Sequence, residues 1–475
     1  MSQLFFIKKF AGAALLLCSV VNNGTLYGQS PSASAYKGWK DARFQLEWPP
    51  RLPDGKMVVS DVSPLFIQKP ATANIAEGVL IAKIAPRIDF VYLPGQTYPG
   101  KLWSVWGDGT AVASKYYTSI GDHNAPRGEA QVYEYDARTK QIRLLISVRK
   151  YLEHSGRMPA GMDYTPGKIH GRVDMGSDGW LYFSTHRGST NDNTTDKRGY
   201  KGDHIYRVNP VNGNIEIVAT YPVSKHTIPA SVLDPARMIF YGGTNPGNDA
   251  ADKNINFIAY DVKNRKMLKQ APDGFDRYAI WSARTGCIYW KGAKKDRAKY
   301  NYDGGYKYDP ATNQIQRVQN VPNVRASTRE SSKGIVYGFT QDENNIWAFD
   351  TKTEKLTTVG PAMVGLHSYV TSVDLDPLTE RYLYYVPGAH GGAEVDGTPV
   401  IQYDLKTKSR KIIAFMSVFY KEKYGFTPDG TFSSALSPDG SILYITWNGS
   451  RKSPVKGWNT VAVTAIHIPA RERLP

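Results

Sequence analysis

Two histidines bracket an apolar, aromatic-rich run in "KIHGRVDMGSDGWLYFSTHRGS", residues 168–189: His170 precedes a turn signal at Asp178 and Gly179, and His186 follows it. A hairpin folds such a stretch back on itself, so its ends meet and bring both imidazoles to one place. An unperturbed imidazole, with a pKa of about 6.5, exchanges protons readily near neutral pH, which suits this pair to acid–base chemistry. Arg187 follows at once, and the planar fork of a guanidinium there would hold a carboxylate or sulfate.

Other residues of matching chemistry are Tyr241 in "MIFYGGTNPGND", Tyr200 in "KRGYKGDH", His123 in "SIGDHNAP", His226, and Lys253, the first basic residue after Tyr241. The chain carries no H-E-x-x-H, no paired cysteines, no G-x-S-x-G elbow and no phosphate-binding or dinucleotide glycine motif. "STNDNTTD" is rich in oxygen ligands but lacks the glutamate of an EF-hand loop. No cofactor is required by these residues, although a structural zinc or calcium assembled from separate segments is compatible with them.

The elements that must position these residues repeat along the chain. "VYEYDARTKQIRLL", "IYRVNPVNGNIEIV", "FIAYDVKNRKML", "GYKYDPATNQIQRV", "IWAFDTKTEKLTTV" and "IQYDLKTKSRKII" share a strand, an Asp or Asn anchor, a polar turn and a second strand. The anchors are Asp136, Asn209, Asp261, Asp309, Asp350 and Asp404, and each unit is preceded by another hairpin. A seventh hairpin, "SPDGSILYITWNGS", leads into "TVAVTAIHIP". Four short strands per unit, about seven units and no long helical periodicity predict an all-β, single-domain β-propeller, with seven blades of four antiparallel strands. "RIDFVYL", Arg87 to Leu93, is expected to complete the last blade, because ring closure removes exposed edges.

In a four-stranded blade the loops from the outer strand to the next inner strand share one face with those from the second strand to the third. His170 falls at the start of the second blade's inner strand and His186 just after its second strand. His123, His226, His367 and His390 fall on the same face, so six of the nine histidines gather there. Tyr241 is placed at the corresponding end of the third blade's second strand, where it would face the same funnel.

The termini and composition bound the setting. Residues 1–28 read as a secretory signal, with Lys8 and Lys9 before an apolar stretch too short to span a membrane, and cleavage falling as late as 35. A lipid anchor at Cys18 is disfavoured, since no small residue precedes it; without Cys18 only Cys287 remains and no internal disulfide can form. Residues 36–86 are expected to form an N-terminal extension packing on the propeller, and 87–475 the propeller itself. The product is expected to be secreted or periplasmic, with no transmembrane segment and, by default, a monomer. Its net charge of +16 points to an acidic partner. Its basic residues are scattered and no nucleic-acid motif is present, which favours an anionic polysaccharide over nucleic acid.

A basic, exported propeller with histidines, tyrosines and arginines on one face resembles the propeller-type polysaccharide lyases, the ulvan lyases in particular, over residues 87 to 469. That resemblance implies β-elimination at a uronic acid in an anionic, often sulfated polysaccharide. It implies base and carboxylate-binding roles for His170 and His186 in either order, with His123 in reserve. It further implies proton delivery by Tyr241 and substrate contacts from Arg187, His226, Lys253 and Tyr200. The family pattern wants an arginine shortly after the tyrosine, where this chain has Lys253. The chain is also similar to the oligogalacturonate lyases, a metal-using propeller type, for which His226, His367 and His390 would be the ligands; the close histidine cluster on one blade is absent. A non-catalytic carbohydrate-binding propeller and a metal-dependent hydrolase on the same fold are the alternatives.

Overall fold

The computed structural model describes residues 50–96, 103–122, 128–158, 161–188, 193–293, 304–340, 344–451 and 458–473. The secretory signal, Cys18 and His123 lie outside these residues. The chain forms a seven-bladed β-propeller of antiparallel sheets. From inside outwards, the second blade runs Asp174–Met175, Leu181–Ser184, His204–Val208 and Ile215–Thr220, and the third His226–Asp234, Ile239–Pro246, Asn256–Asp261 and Lys266–Pro272.

The repeated anchors explain why each outer hairpin forms. The side chain of each accepts a backbone N–H two or three residues on, as in Asp136 with Arg138 (2.9 Å), Asn209 with Val211 (2.8 Å), Asp261 with Asn264 (2.8 Å) and Asp404 with Lys406 (2.8 Å). These Asx turns reverse the chain. The fourth residue after every anchor then takes a positive φ: Lys140, Gly213, Arg265, Asn313, Glu354 and Lys408.

The ring closes through its most distant strands. Arg87–Tyr92 pairs antiparallel with Thr460–His467 and so supplies the outer strand of the seventh blade, as the segment 87–93 was expected to do. Val59–Val62 adds a fifth strand there, and Leu80–Ile81 lies parallel to the outer strand of the sixth blade, covering two sheet edges. Apolar clusters fill the spaces between blades; Tyr116 of the first and Tyr444 of the seventh stack at 5.2 Å. Cys287 is buried and free. No helix among the described residues is long and apolar enough to cross a membrane.

Inner strands line the channel, and their two-residue alternation stacks its residues in layers. Trp106, His170, Arg325 and Phe432 form the layer at the mouth. Asp108, Arg172, Ser372 and Ser434 come next, two residues along the chain from Trp106, His170, Val370 and Phe432. Asp174, Arg329 and Asp374 lie deeper. Arg172 bonds Asp108 at 2.9 Å and Asp174 at 3.2 Å, Ser372 donates to Asp108 at 2.8 Å, and Ser434 to Asp374 at 2.6 Å. Burial pushes Asp108 up to about 6 against the pull of Arg172. This paired network lies between the mouth and a cavity of about 360 Å³ lined by Arg172, Arg329, Asp374, Asp376 and Glu380.

Candidate functional site

The hairpin of the second blade does bring its histidines together. Lys168 and His186 form an antiparallel bridge, with backbone bonds of 2.9 Å and 3.2 Å, and the rings of His170 and His186 meet edge to face at 5.8 Å. Gly107 and Gly171 let the inner strands of the first three blades approach closely here. A Cβ at Gly107 would lie 2.2 Å from Gly171 O, and one at Gly171 would lie 2.2 Å from Ser231 Oγ.

Both imidazoles are buried, and hydrogen bonds fix their tautomers. His170 Nδ1 lies 2.9 Å from Pro229 O, which can only accept, so Nδ1 carries the proton and Nε2 keeps a lone pair. His186 Nδ1 lies 2.8 Å from Thr227 Oγ1, whose own hydroxyl donates to Asn245 O, giving the same tautomer. Burial drives both rings well below the ordinary imidazole range, and Lys168 and Arg277 drive them further, so both are neutral.

Around them stands a ring of cations. Lys168 is 7% exposed and its ammonium lies 4.4 Å from the centroid of Trp106. Arg325 is 2% exposed and packs against Tyr278, Tyr369 and Phe432 at 5.0–5.4 Å, donating through Nε to the Tyr369 hydroxyl at 2.5 Å. Its Nη1 is buried with no hydrogen-bond partner among the described residues. Among the described residues no carboxylate forms an ion pair with Lys168, Arg277 or Arg325, in contrast to Arg172 deeper in the channel. Burying a cation without a counter-charge is costly, and this applies to Lys168 and Arg325; Arg277 is exposed and donates to Asp276 O at 3.2 Å.

Aromatic rings complete the mouth. Trp106 lies 5.6 Å from Trp458 and 4.8 Å from Phe432, while His390 packs edge-on to Tyr369 at 4.6 Å and to Trp106 at 6.2 Å. Enclosure, followed by Arg325, Arg277 and Lys168, pushes His390 down to about 4. Asp429 holds this shelf from behind, accepting from Trp458 Nε1 at 3.2 Å and Gly392 N at 2.8 Å. Its carboxyl is raised to about 8 by burial and by Glu394 beside it.

The remaining expected residues lie apart from this cluster. Tyr241 is the third residue of Ile239–Pro246, far from that strand's mouth end; it is buried against Phe257 and Tyr308, and its hydroxyl donates to Gly286 O at 2.8 Å in a turn on the opposite face. The expectation that it faces the funnel is corrected on that ground. His226 starts its inner strand as expected, but Nδ1 meets Thr244 Oγ1 at 2.8 Å and Nε2 meets Asp252 O at 3.0 Å, so both nitrogens serve the blade. Lys253 bonds Asn248 O at 2.7 Å within its own loop. Tyr200 is buried edge-on to Tyr164 at 4.5 Å, next to Asp203, a carboxyl that burial raises to about 7. Arg187 bonds Gly188 O at 3.2 Å and its charge reaches His186 and Lys168. His367 faces Asp396 at 3.3 Å.

Lys168, Arg325 and Tyr369 were not singled out for this site in the sequence. Their common signal is position, each one to six residues before an inner strand. Among the described residues no group of three or more His, Cys, Asp or Glu side chains is arranged to hold a metal ion.

No protein-family model matches the chain, and no curated protein matches it in sequence. Solved structures do. An oligogalacturonate lyase in complex with manganese is 10% identical, with a TM-score of 0.50, over 88% of this chain and 98% of that one. The RRP9 WD40 repeats are 9% identical (TM-score 0.47, 86% and 100% covered), and the propeller domain of the Trilobed protease from Pyrococcus furiosus 10% (0.44, 78% and 96%). At 10% identity the likeness to the oligogalacturonate lyase shows the β-propeller fold alone.

Proposed function

We propose that the protein is a secreted polysaccharide lyase that cleaves a uronic-acid-containing, anionic polysaccharide of the sulfated, ulvan-like kind by β-elimination. The observation that carries this reading is the juxtaposition of the buried cations Lys168 and Arg325, without a counter-carboxylate among the described residues, with two neutral imidazoles protonated on Nδ1. Arg325, supported by Arg277 and Lys168, takes the uronate carboxylate and so acidifies the C5 proton. His170 or His186 removes that proton through Nε2. The C5–H electron pair becomes the C4–C5 double bond as the C4–O4 bond breaks. The Tyr369 hydroxyl, polarised by Arg325 Nε, gives its proton to O4, and solvent returns the proton from imidazole to phenol. Tyr369 thus takes the role first given to Tyr241.

Ultraviolet absorbance of the unsaturated product tests this directly, with ulvan, polygalacturonate, alginate and glycosaminoglycans compared in parallel. A rise on one of them that is lost in His170→Ala and His186→Ala, with binding retained, supports the reading; a flat trace on all of them overturns it. The aromatic shelf of Trp106, Trp458 and Phe432 favours a second reading, a carbohydrate-binding propeller without turnover, in which sugars stack on the rings. Under that reading the histidine variants keep full affinity and no product forms.

A further inference from the structure

Lys168 is set apart by where its amine stands. It is buried at the mouth, 4.4 Å over the Trp106 ring, on the backbone bridge that joins the two histidine-bearing segments. The charged and titratable groups facing it are Arg187 and His186 across that bridge, His170 on its own segment, Arg277 from the fourth blade and His390 from the sixth. The first blade abuts its backbone through Gly121, and the acids there are engaged locally, Asp122 with Glu129 N at 2.7 Å and Glu129 with Ser147 at 2.6 Å. On the seventh blade Asp429 stands behind Trp458. Among the described residues, therefore, no anion compensates the ammonium.

We propose that Lys168 Nζ is a titrating anion receptor: a sulfate ester or carboxylate of a bound sugar, seated beside Trp106, draws a proton onto the amine as it binds. The idea rests on the anionic-saccharide reading of the site but not on cleavage. Burial, followed by Arg277 and Arg187, pushes the amine down to about 7, so in the empty site it is about half protonated at pH 7 and about nine-tenths neutral at pH 8. An arriving anion raises its proton affinity and completes the charge. The histidines cannot supply this proton uptake near neutrality, because cationic surroundings and burial hold them well below it.

Isothermal titration of the full chain with dextran sulfate, in buffers of different ionisation enthalpy, reads the protons taken up. Dextran sulfate has no uronate and cannot be eliminated, so its binding is independent of turnover. The expected uptake is about half a proton per site at pH 7, rising to about 0.9 at pH 8. Lys168→Arg, always charged, should bind with no such uptake. Trace acylation of wild-type Lys168 across pH, read by mass spectrometry, should give a midpoint near neutrality that moves up when dextran sulfate is bound. Uptake in Lys168→Arg equal to wild type, an acylation midpoint near that of free lysine, or no binding of the polymer overturns the proposal. Proton-linked binding together with flat absorbance on every uronate upholds it while removing the lyase reading.

Discussion

A buried, uncompensated ammonium should cost the fold stability, and Lys168→Met should return it. The amine moves from the ordinary lysine value of 10.5 to about 7. Wherever the amine is charged in both states the cost is this shift, roughly 5 kcal/mol. The sign follows from proton counts. Between about pH 7 and 10.5 the unfolded chain holds more protons than the native one, so the wild-type protein gains stability as pH rises through that window. The methionine variant lacks this gain. Its advantage should therefore be about 5 kcal/mol at pH 6 and fall to about 2 kcal/mol at pH 9, a difference of roughly 3 kcal/mol. Denaturant melts of both proteins at the two pH values, without sulfate or phosphate, measure it. A methionine variant no more stable than wild type at pH 6, or an advantage unchanged between pH 6 and pH 9, would refute the reasoning.

Arg325→Met should weaken binding of the anionic polymer by about 10- to 100-fold through loss of charged hydrogen bonds, without lowering the melting temperature, since no partner acid is left stranded; unchanged affinity by calorimetry would dismiss Arg325 as the anion anchor. Tyr241→Phe orphans Gly286 O and should cost about 1 kcal/mol in a urea melt while turnover stays within about twofold. A collapse of turnover would restore Tyr241 to the chemistry. Gly171→Ala places a methyl 2.2 Å from Ser231 Oγ and 2.9 Å from Ser231 N, which should cost about 1–3 kcal/mol and disturb the adjoining His170. Unaltered stability and activity would deny the close approach of the two blades.

The propeller was legible because its turns are chemical. An Asp or Asn that caps the chain reversal, with a positive φ four residues on, leaves a repeated trace in the sequence whatever the neighbouring strands do. The convergence of His170 and His186 was legible for a similar reason, since one hairpin carries both. Tyr241 was misplaced because its strand runs on to Pro246, so a residue read as lying at the strand's end stands at its beginning, and alternation turns the ring between blades. Arg325, Tyr369 and Lys168 left no local trace. The inner strands they precede are two or three residues long, too short for a period-two pattern, and the cluster they form joins Lys168 to residues 157 and 201 positions further on. The absence of a counter-charge, which marks them as a site, exists only once the blades have closed.

The closing strand carries a consequence for how the chain matures. Arg87–Tyr92 is made before every strand of the seven repeats and paired with its blade after all of them, since Arg87 meets His467 across 380 positions. At a translation pace of about 5–20 residues per second it waits roughly 20 to 80 seconds for that partner. Val59–Val62, synthesised before it, covers its other side in the folded protein, so neither edge of the closing strand is left open. Loss of that short strand would bare one edge of the last sheet, and should be felt in the yield of folded protein before it is felt in the rate of any reaction.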